Sequence, residues 1–227
     1  MIIENIRNIG NRKIEILIIA SAVVLVLAVV GLVWMLFTAE DRSLAKLAKD
    51  HPQGEKFLTQ YRDAKEKLEK DSKDFGAYFE IGFVKAEFKD YQGAVEAYKK
   101  SIEFNPNSIV AMNNLADVYI KLKKYPEAES SYLQAISTVP GYAPSYFALV
   151  DLYQSYYTEK KSQIESVILK GLKVMPKDQN MLALLAGHYR DTKQNEKAVE
   201  IYEKILELRP DDKLIREEIN NLKAGKD

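Results

Sequence analysis

The chain has 227 residues, and its 33 Lys and Arg balance 33 Asp and Glu, so the formal net charge at pH 7 is zero. A neutral chain lacks the basic field on which nucleic-acid binding depends, which argues against a nucleic-acid partner. The sequence contains no cysteine, and this excludes disulfides, thiolate metal sites and a cysteine nucleophile.

The first predicted element is an apolar segment near the N-terminus. Residues 16–37 carry no charge, and as a helix they would measure roughly 33 Å, enough for a hydrocarbon core of about 30 Å. The alternative is a cleaved signal peptide, but the apolar region of such peptides is normally only about 7–15 residues long. We therefore predict a transmembrane helix over residues 14–38 that acts as an uncleaved signal anchor, with Trp34 near one interface.

The charges that flank this segment predict its orientation. Arg7, Arg12 and Lys13 precede it, whereas Glu40 and Asp41 follow it directly. Because positively charged flanks tend to stay inside, residues 1–13 are expected in the cytoplasm and residues 39–227 outside it. The predicted localisation is that of a single-pass membrane protein.

The next predicted region, residues 39–74, is a helical linker and N-terminal cap. Within residues 55–70 the apolar side chains recur at helical spacing and form one stripe, made of Phe57, Leu58, Tyr61, Ala64 and Leu68. An array of stacked helices needs a cap on its first apolar flank. The stripe favours such a cap over the alternative, a charged stalk that holds the array away from the bilayer.

From residue 75 onward one pattern occurs four times. A proline, an alanine and a tyrosine recur with a shared period of 34 or 36 residues, at Pro106, Pro140, Pro176 and Pro210, at Ala94, Ala128 and Ala198, and at Tyr98, Tyr132 and Tyr202. A period of 20–50 residues is typical of a stacked repeat array. We predict helical pairs over 75–108, 109–142, 143–178 and 179–212, the third with a two-residue insertion, and then a C-terminal cap helix over 213–227.

The pattern resembles the tetratricopeptide repeat, whose 34-residue signature is W-x-x-L-G-x-x-Y, then A-x-x-x-F, then P. The second unit matches it best, through Met112, Leu115, Ala116, Tyr119, Ala128, Tyr132, Ala135 and Pro140. The third unit departs from it, because Ile164, Ile168 and Gly171 replace its small–aromatic–small set. The resemblance implies an all-α fold, a solenoid of tandem helix-turn-helix units, preceded here by the predicted transmembrane helix.

The resemblance also implies a binding surface. Arrays of this family bind extended or helical peptides on a concave face that the first helix of each unit provides. By the family's ligand positions, the partner-binding groove of this chain would consist of Phe79, Phe83, Asn113, Asp117, Phe147, Asp151, Gln154 and Arg190.

The groove residues suggest what the ligand contains. The packing signature does not require the three phenylalanines, and large apolar groups on an open surface often mark an interface. Asp117 and Asp151 lie one repeat apart and suit a basic group. The hypothesis is a peptide with apolar and basic side chains. The alternative is that the phenylalanines pack between neighbouring helices and the groove is empty.

No motif in the sequence indicates catalysis. The two histidines, His51 and His188, are far apart in the chain, and the zinc-protease, phosphate-loop, dinucleotide and serine-nucleophile patterns do not occur. We predict no catalytic residue, no metal site and no cofactor. The favoured function is a membrane-anchored scaffold or adaptor that binds a protein partner. The alternatives are a self-associating structural membrane protein and a non-catalytic accessory subunit that tethers an enzyme complex to the membrane.

Overall fold

The computed structural model describes the backbone of residues 2–225 and the side-chain surroundings of residues 19–32 and 39–225. Over this part of the chain the secondary structure is helical and includes no strand. The chain divides into two compact units, one that ends at Thr59 and one that begins at Gln60. The first unit holds helix α1 (Ile2–Lys49) and the start of helix α2 (Gly54–Lys70), and all later helices belong to the second unit.

A tight turn joins α1 to α2 in the first unit. Gly54 opens α2 where a side-chain carbon would collide with the carbonyl of Ala48, so the close approach requires glycine. The imidazole Nδ1 of His51 accepts a hydrogen bond from the backbone N–H of Gln53 (3.1 Å), and the ring lies 5.0 Å from that of Phe57. His51 therefore stabilises the turn.

The structure corrects the membrane prediction. Among the residues that it describes, no helix combines the length and the apolar character needed to cross a bilayer. The predicted single-pass localisation is therefore wrong, and the transmembrane helix over 14–38 and the membrane contact are not supported. The predicted roles of Trp34 and of the charges in residues 1–13 fall on side chains outside the described residues.

The second unit is a series of antiparallel helical pairs, which confirms the predicted all-α solenoid. The first helix of each pair is called an A helix and the second a B helix. The pairs are α3 (Phe75–Glu87) with α4 (Tyr91–Phe104), α5 (Ile109–Lys121) with α6 (Tyr125–Thr138), α7 (Ala143–Asp151) with α8 (Ile164–Val174), and α9 (Gln179–Asp191) with α10 (Asn195–Leu208), followed by α11 (Lys213–Lys223).

Side-chain caps set where most A helices begin. An acidic or hydroxyl side chain accepts a hydrogen bond from the backbone N–H three residues later, over 2.9 to 3.4 Å, at Asp74, Ser108, Asp178 and Asp212. These residues precede α3, α5, α9 and α11, and they satisfy N–H groups that have no partner within the helix. The start of the repeat is thus encoded by a local hydrogen bond.

The turns from A to B helices share one backbone conformation. Lys89, Lys123 and Lys193 have backbone φ values of 63°, 58° and 58°. These lie in the left-handed region that residues other than glycine rarely adopt. The three lysines occupy equivalent positions in the first, second and fourth pairs. The same turn therefore reverses the chain in each of these pairs.

Small residues let the two helices of a pair approach closely. The alanines of the repeat signature, Ala94, Ala128 and Ala198, are completely buried. A side-chain carbon at Gly82 would lie 2.8 Å from the ring of Tyr98, which is closer than packed carbon atoms allow. The tyrosines of the signature fill the space beside these small residues.

The third pair has a different construction. Its A helix lacks a side-chain cap, since Tyr142 occupies the N-cap position, and it ends at Asp151 in a π turn over Leu152–Tyr156. A 3₁₀ segment over Thr158–Gln163 then leads into α8. A π turn accommodates an additional residue inside a helix because its hydrogen bonds span five residues. The left-handed lysine turn of the other pairs is absent from this described segment.

Candidate partner-binding surface

We call the side of the array that the A helices form the A face. Seven of the eight predicted groove residues belong to the A helices α3, α5, α7 and α9, and Gln154 lies in the π turn after α7. Two clefts open on the A face. The larger, the phenylalanine cleft, has a volume of about 580 Å³. The smaller, the aspartate cleft, has a volume of about 320 Å³. Phe83 and Asn114 line both clefts, so the two are contiguous.

The phenylalanine cleft lies between α2, α3 and α5. Phe79 and Phe83 are half-buried and pack against the core while still lining the cleft. The centre of the Phe79 ring lies 5.6 Å from that of the Tyr98 ring, and this contact restricts the orientation of Phe79. The side-chain amide of Asn114 donates to the carbonyl of Val110 (2.8 Å). That bond engages one N–H of the amide within its own helix. The amide oxygen can still accept a hydrogen bond from a ligand.

Residues of α2 supply the polar edge of this cleft. The ammonium of Lys67 lies 3.2 Å from the carboxylate of Glu80 on α3, so these two charges neutralise each other. Asp63 also lines the cleft and is exposed. Within the described residues, the amide oxygen Oε1 of Gln60 is buried without a hydrogen-bond partner. An acceptor in that state costs about 1–3 kcal/mol.

The aspartate cleft is built around Asp117. This carboxylate accepts a hydrogen bond from the hydroxyl of Tyr132, and Tyr98 lines the same cleft. Asp117 is exposed as a residue, but its carboxylate is part-buried where Tyr132 donates to it. This partial burial raises the pKa of Asp117 above its ordinary value, the negative charge of Asp151 adds to the rise, and Tyr132 and Lys121 oppose it. Burial and the nearby charge of Asp117 raise the pKa of both tyrosines as well. The cleft therefore holds a carboxylate whose charge its surroundings do not fully compensate.

The structure does not gather all the predicted groove residues. Phe79, Phe83 and Asp117 line the two clefts, and Asp151 acts on Asp117 through its charge. The carboxylate of Asp151 accepts a hydrogen bond from the hydroxyl of Ser155 (2.9 Å). Gln154 is exposed within the π turn.

Three other predicted groove residues make contacts inside the array. Asn113 accepts a hydrogen bond from the hydroxyl of Ser145 on the next A helix (3.0 Å). Arg190 pairs with Asp191 and with Glu218 of α11, each over 3.2 Å. Phe147 is half-buried against the core. The Asn113–Ser145 and Arg190–Glu218 contacts join different helices, and none of the three residues lines either cleft.

Some cleft residues were not among the predicted groove residues. Gln60 and Asp63 belong to α2, a helix that the sequence indicated only as a cap. Asn114 follows Asn113, and successive residues of a helix point about 100° apart. Only the positions of the neighbouring helices decide which asparagine faces the cleft.

The A face can bind a ligand by packing and by hydrogen bonding. In the described part of the chain, no three His, Asp or Glu side chains are grouped so that they would hold a metal ion. The ring of His188 lies 6.1 Å from the ring of Tyr189, which belongs to the core of the fourth pair. The clefts thus present apolar rings and amide oxygens together with charged side chains, namely Asp63, Lys67, Glu80, Glu87, Lys89, Asp117 and Lys121.

Comparison with known proteins supports the repeat pattern. Residues 75–108 and 180–212 match one family model described as a tetratricopeptide repeat, and residues 97–130 match another with the same description. Human Superkiller complex protein 3 is 28% identical over 121 residues, which are 53% of this chain and 7% of that protein. The chain therefore spans a small part of this relative's length.

Two solved structures are similar in fold. MamA of Desulfovibrio magneticus RS-1 aligns with a TM-score of 0.53 at 20% identity, covering 76% of this chain and 97% of that one. YrrB, described as a TPR protein with an unusual peptide-binding site, aligns with a TM-score of 0.51 at 13% identity, covering 72% of this chain and 83% of that one. At these identities the likeness concerns the fold alone.

Proposed function

Since the chain contains tetratricopeptide repeats, we propose that it is a non-catalytic interaction module that binds a segment of a partner polypeptide on the A face. The observation that carries this proposal is the pair of contiguous clefts that meet at Phe83 and Asn114. Concave, largely apolar sites with a few placed polar groups are where proteins bind ligands. The peptide-binding site named for YrrB agrees with this proposal.

The chemistry of the clefts selects for a peptide with apolar and basic side chains. Phe79 and Phe83 offer aromatic surface to an apolar side chain, and buried aromatic contacts dominate the energy of many interfaces. Asp117 retains an unfavourable environment for its charge, which a cation from the ligand would improve. Both requirements are met by one short segment because the clefts adjoin.

A peptide-display selection on the full chain tests this proposal. We expect enrichment of peptides that combine apolar and basic residues, and an affinity loss of at least about tenfold in the double variant Phe83→Ala, Asp117→Lys. The matched control is Leu133→Ala, Glu96→Lys, which changes an exposed apolar and an exposed acidic residue on α6 and α4, outside both clefts. Thermal unfolding of each variant checks that the fold is retained.

Two results would contradict the proposal. One is a selection that enriches no peptide on the full chain. The other is equal affinity of the enriched peptides for the native chain and the cleft variant.

A further inference from the structure

We infer that the A face recognises an extended peptide in which a bulky apolar residue and a basic residue are separated by one position. This inference rests on the proposed function and specifies its ligand. The apolar residue occupies the phenylalanine cleft, and the basic residue occupies the aspartate cleft.

The spacing follows from the way the clefts adjoin. Phe83 and Asn114 line both clefts, and we take the thickness of this shared wall, about one side chain, as the separation of the two occupants. In an extended peptide, residues i and i+2 point to the same side and are separated by roughly 6.6 Å, whereas residue i+1 points to the opposite side. Adjacent residues therefore cannot enter both clefts, and one intervening residue brings both side chains to the same face.

The phenylalanine cleft suits the apolar residue. It is the larger cleft, its walls include two half-buried phenylalanine rings, and the Lys67–Glu80 pair at its edge is already neutralised. Gln60 lines this cleft with a buried, unpaired oxygen. A turn of its amide toward the cleft would let that oxygen accept an N–H from the peptide backbone, which removes the cost of leaving it unpaired.

The aspartate cleft suits the basic residue. Two carboxylates, Glu87 and Asp117, and two lysines, Lys89 and Lys121, line it, and all four residues are exposed. In the presence of the two lysines the pKa of Asp117 stays above its ordinary value, because burial and the charge of Asp151 outweigh the opposing contacts. Tyr132 occupies one acceptor position of the carboxylate, and an arginine guanidinium can donate to the remaining ones.

Synthetic peptides test the spacing directly. Three fluorescein-labelled, C-terminally amidated peptides of Gly and Ser carry one Leu and one Arg with zero, one or two intervening residues. Titrated with the full chain and followed by fluorescence anisotropy, the peptide with one intervening residue should bind about tenfold more tightly than the other two. Replacing its Arg with citrulline, which has a similar shape and no charge, should remove most of this advantage.

Variants assign each anchor to its cleft. Asp117→Asn should abolish the preference for Arg over citrulline, and Phe79→Ala should weaken both peptides while keeping that preference. Glu96→Gln, an exposed carboxylate of α4 outside both clefts, is the control and should change neither affinity.

Each contrary result has a distinct meaning. Equal affinity for all three spacings overturns the inferred ligand and leaves the proposed function standing, provided that the display selection yields cleft-dependent peptides. An Arg preference that survives in Asp117→Asn overturns the basic subsite. Failure of both the synthetic peptides and the display selection overturns the inference together with the proposed function.

Discussion

At the scale of single residues, two tyrosine hydroxyls connect neighbouring helical pairs. Tyr153 donates to Glu129 (2.5 Å) and Tyr189 donates to Glu165 (2.7 Å). Tyr153 lies in the π turn after α7 and Tyr189 in α9, and each contacts the B helix of the preceding pair, 24 residues earlier. Both tyrosines are buried, and a buried phenol stabilises the fold only when its hydroxyl finds a partner. These contacts therefore help to fix how successive pairs stack.

Replacing Tyr189 with Phe should destabilise the protein by about 1 kcal/mol, since it leaves the carboxylate of Glu165 without this donor. Burial first, and then Glu165, raise the pKa of Tyr189 from 10.0 to about 12. The folded state thus favours the neutral phenol, so the stabilisation is complete below about pH 10 and is lost as the pH rises through about 12. Urea unfolding at pH 7 and at pH 10 to 12 measures both effects.

The control for this prediction is Tyr156→Phe, which alters a tyrosine that is 43% exposed and should leave the stability unchanged. A Tyr189→Phe variant as stable as the native chain at pH 7 would show that the hydroxyl contributes nothing. A stability difference that does not narrow between pH 10 and pH 12 would contradict the expected titration.

At the scale of the elements, the helical pairs were predictable and some of their contacts were not. The pairs follow from residues that recur in step, and the family models match residues 75–130 and 180–212 as tetratricopeptide repeats. The π turn over Leu152–Tyr156 was not predicted, because additional residues signal an irregularity without specifying its hydrogen bonds. Helical phase places Phe79 and Phe83 on the A face. It does not reveal that Asn113 bonds to Ser145, which depends on the neighbouring helix.

The N-caps allow a prediction for one element. Asp178→Ala should destabilise the array by about 1 kcal/mol, because the side chain accepts a hydrogen bond from the N–H of Met181 (2.9 Å) at the start of α9. Asp178→Asn should retain most of the stability, since asparagine also caps helices. Chemical denaturation followed by circular dichroism measures the changes.

The neighbouring residue of another cap supplies the control. Asp211 is exposed and precedes the capping residue Asp212, so Asp211→Ala should have little effect. If Asp178→Ala and Asp211→Ala were equally stable, the capping bond would not account for the start of α9.

At the scale of the whole array, we expect the third pair to be the least stable unit. Stability in stacked repeats is close to a sum of unit terms and nearest-neighbour terms. This pair lacks the side-chain cap before its A helix and includes π and 3₁₀ segments. Its own contribution should therefore be smaller than that of the pairs on either side.

Amide hydrogen exchange, followed by mass spectrometry, tests this expectation. The B helix of the third pair, α8, should exchange faster than its counterparts α6 and α10, because opening of the third pair costs less free energy. The comparison of three equivalent helices is its own control. Equal protection of α6, α8 and α10 would show that the irregular segment does not weaken its pair.

Caps, turns and prolines recur at nearly constant spacing along the chain, and this spacing determines how the array could gain a further helical pair by duplication. Ser108 caps one pair, Lys123 reverses it, and the prolines that end successive pairs, Pro106 and Pro140, are 34 residues apart. An in-frame duplication of residues 108–141 would add a second copy of this pair with its own cap and turn. The gene can therefore lengthen the array by whole pairs, while the clefts next to α2 and α3 keep their residues.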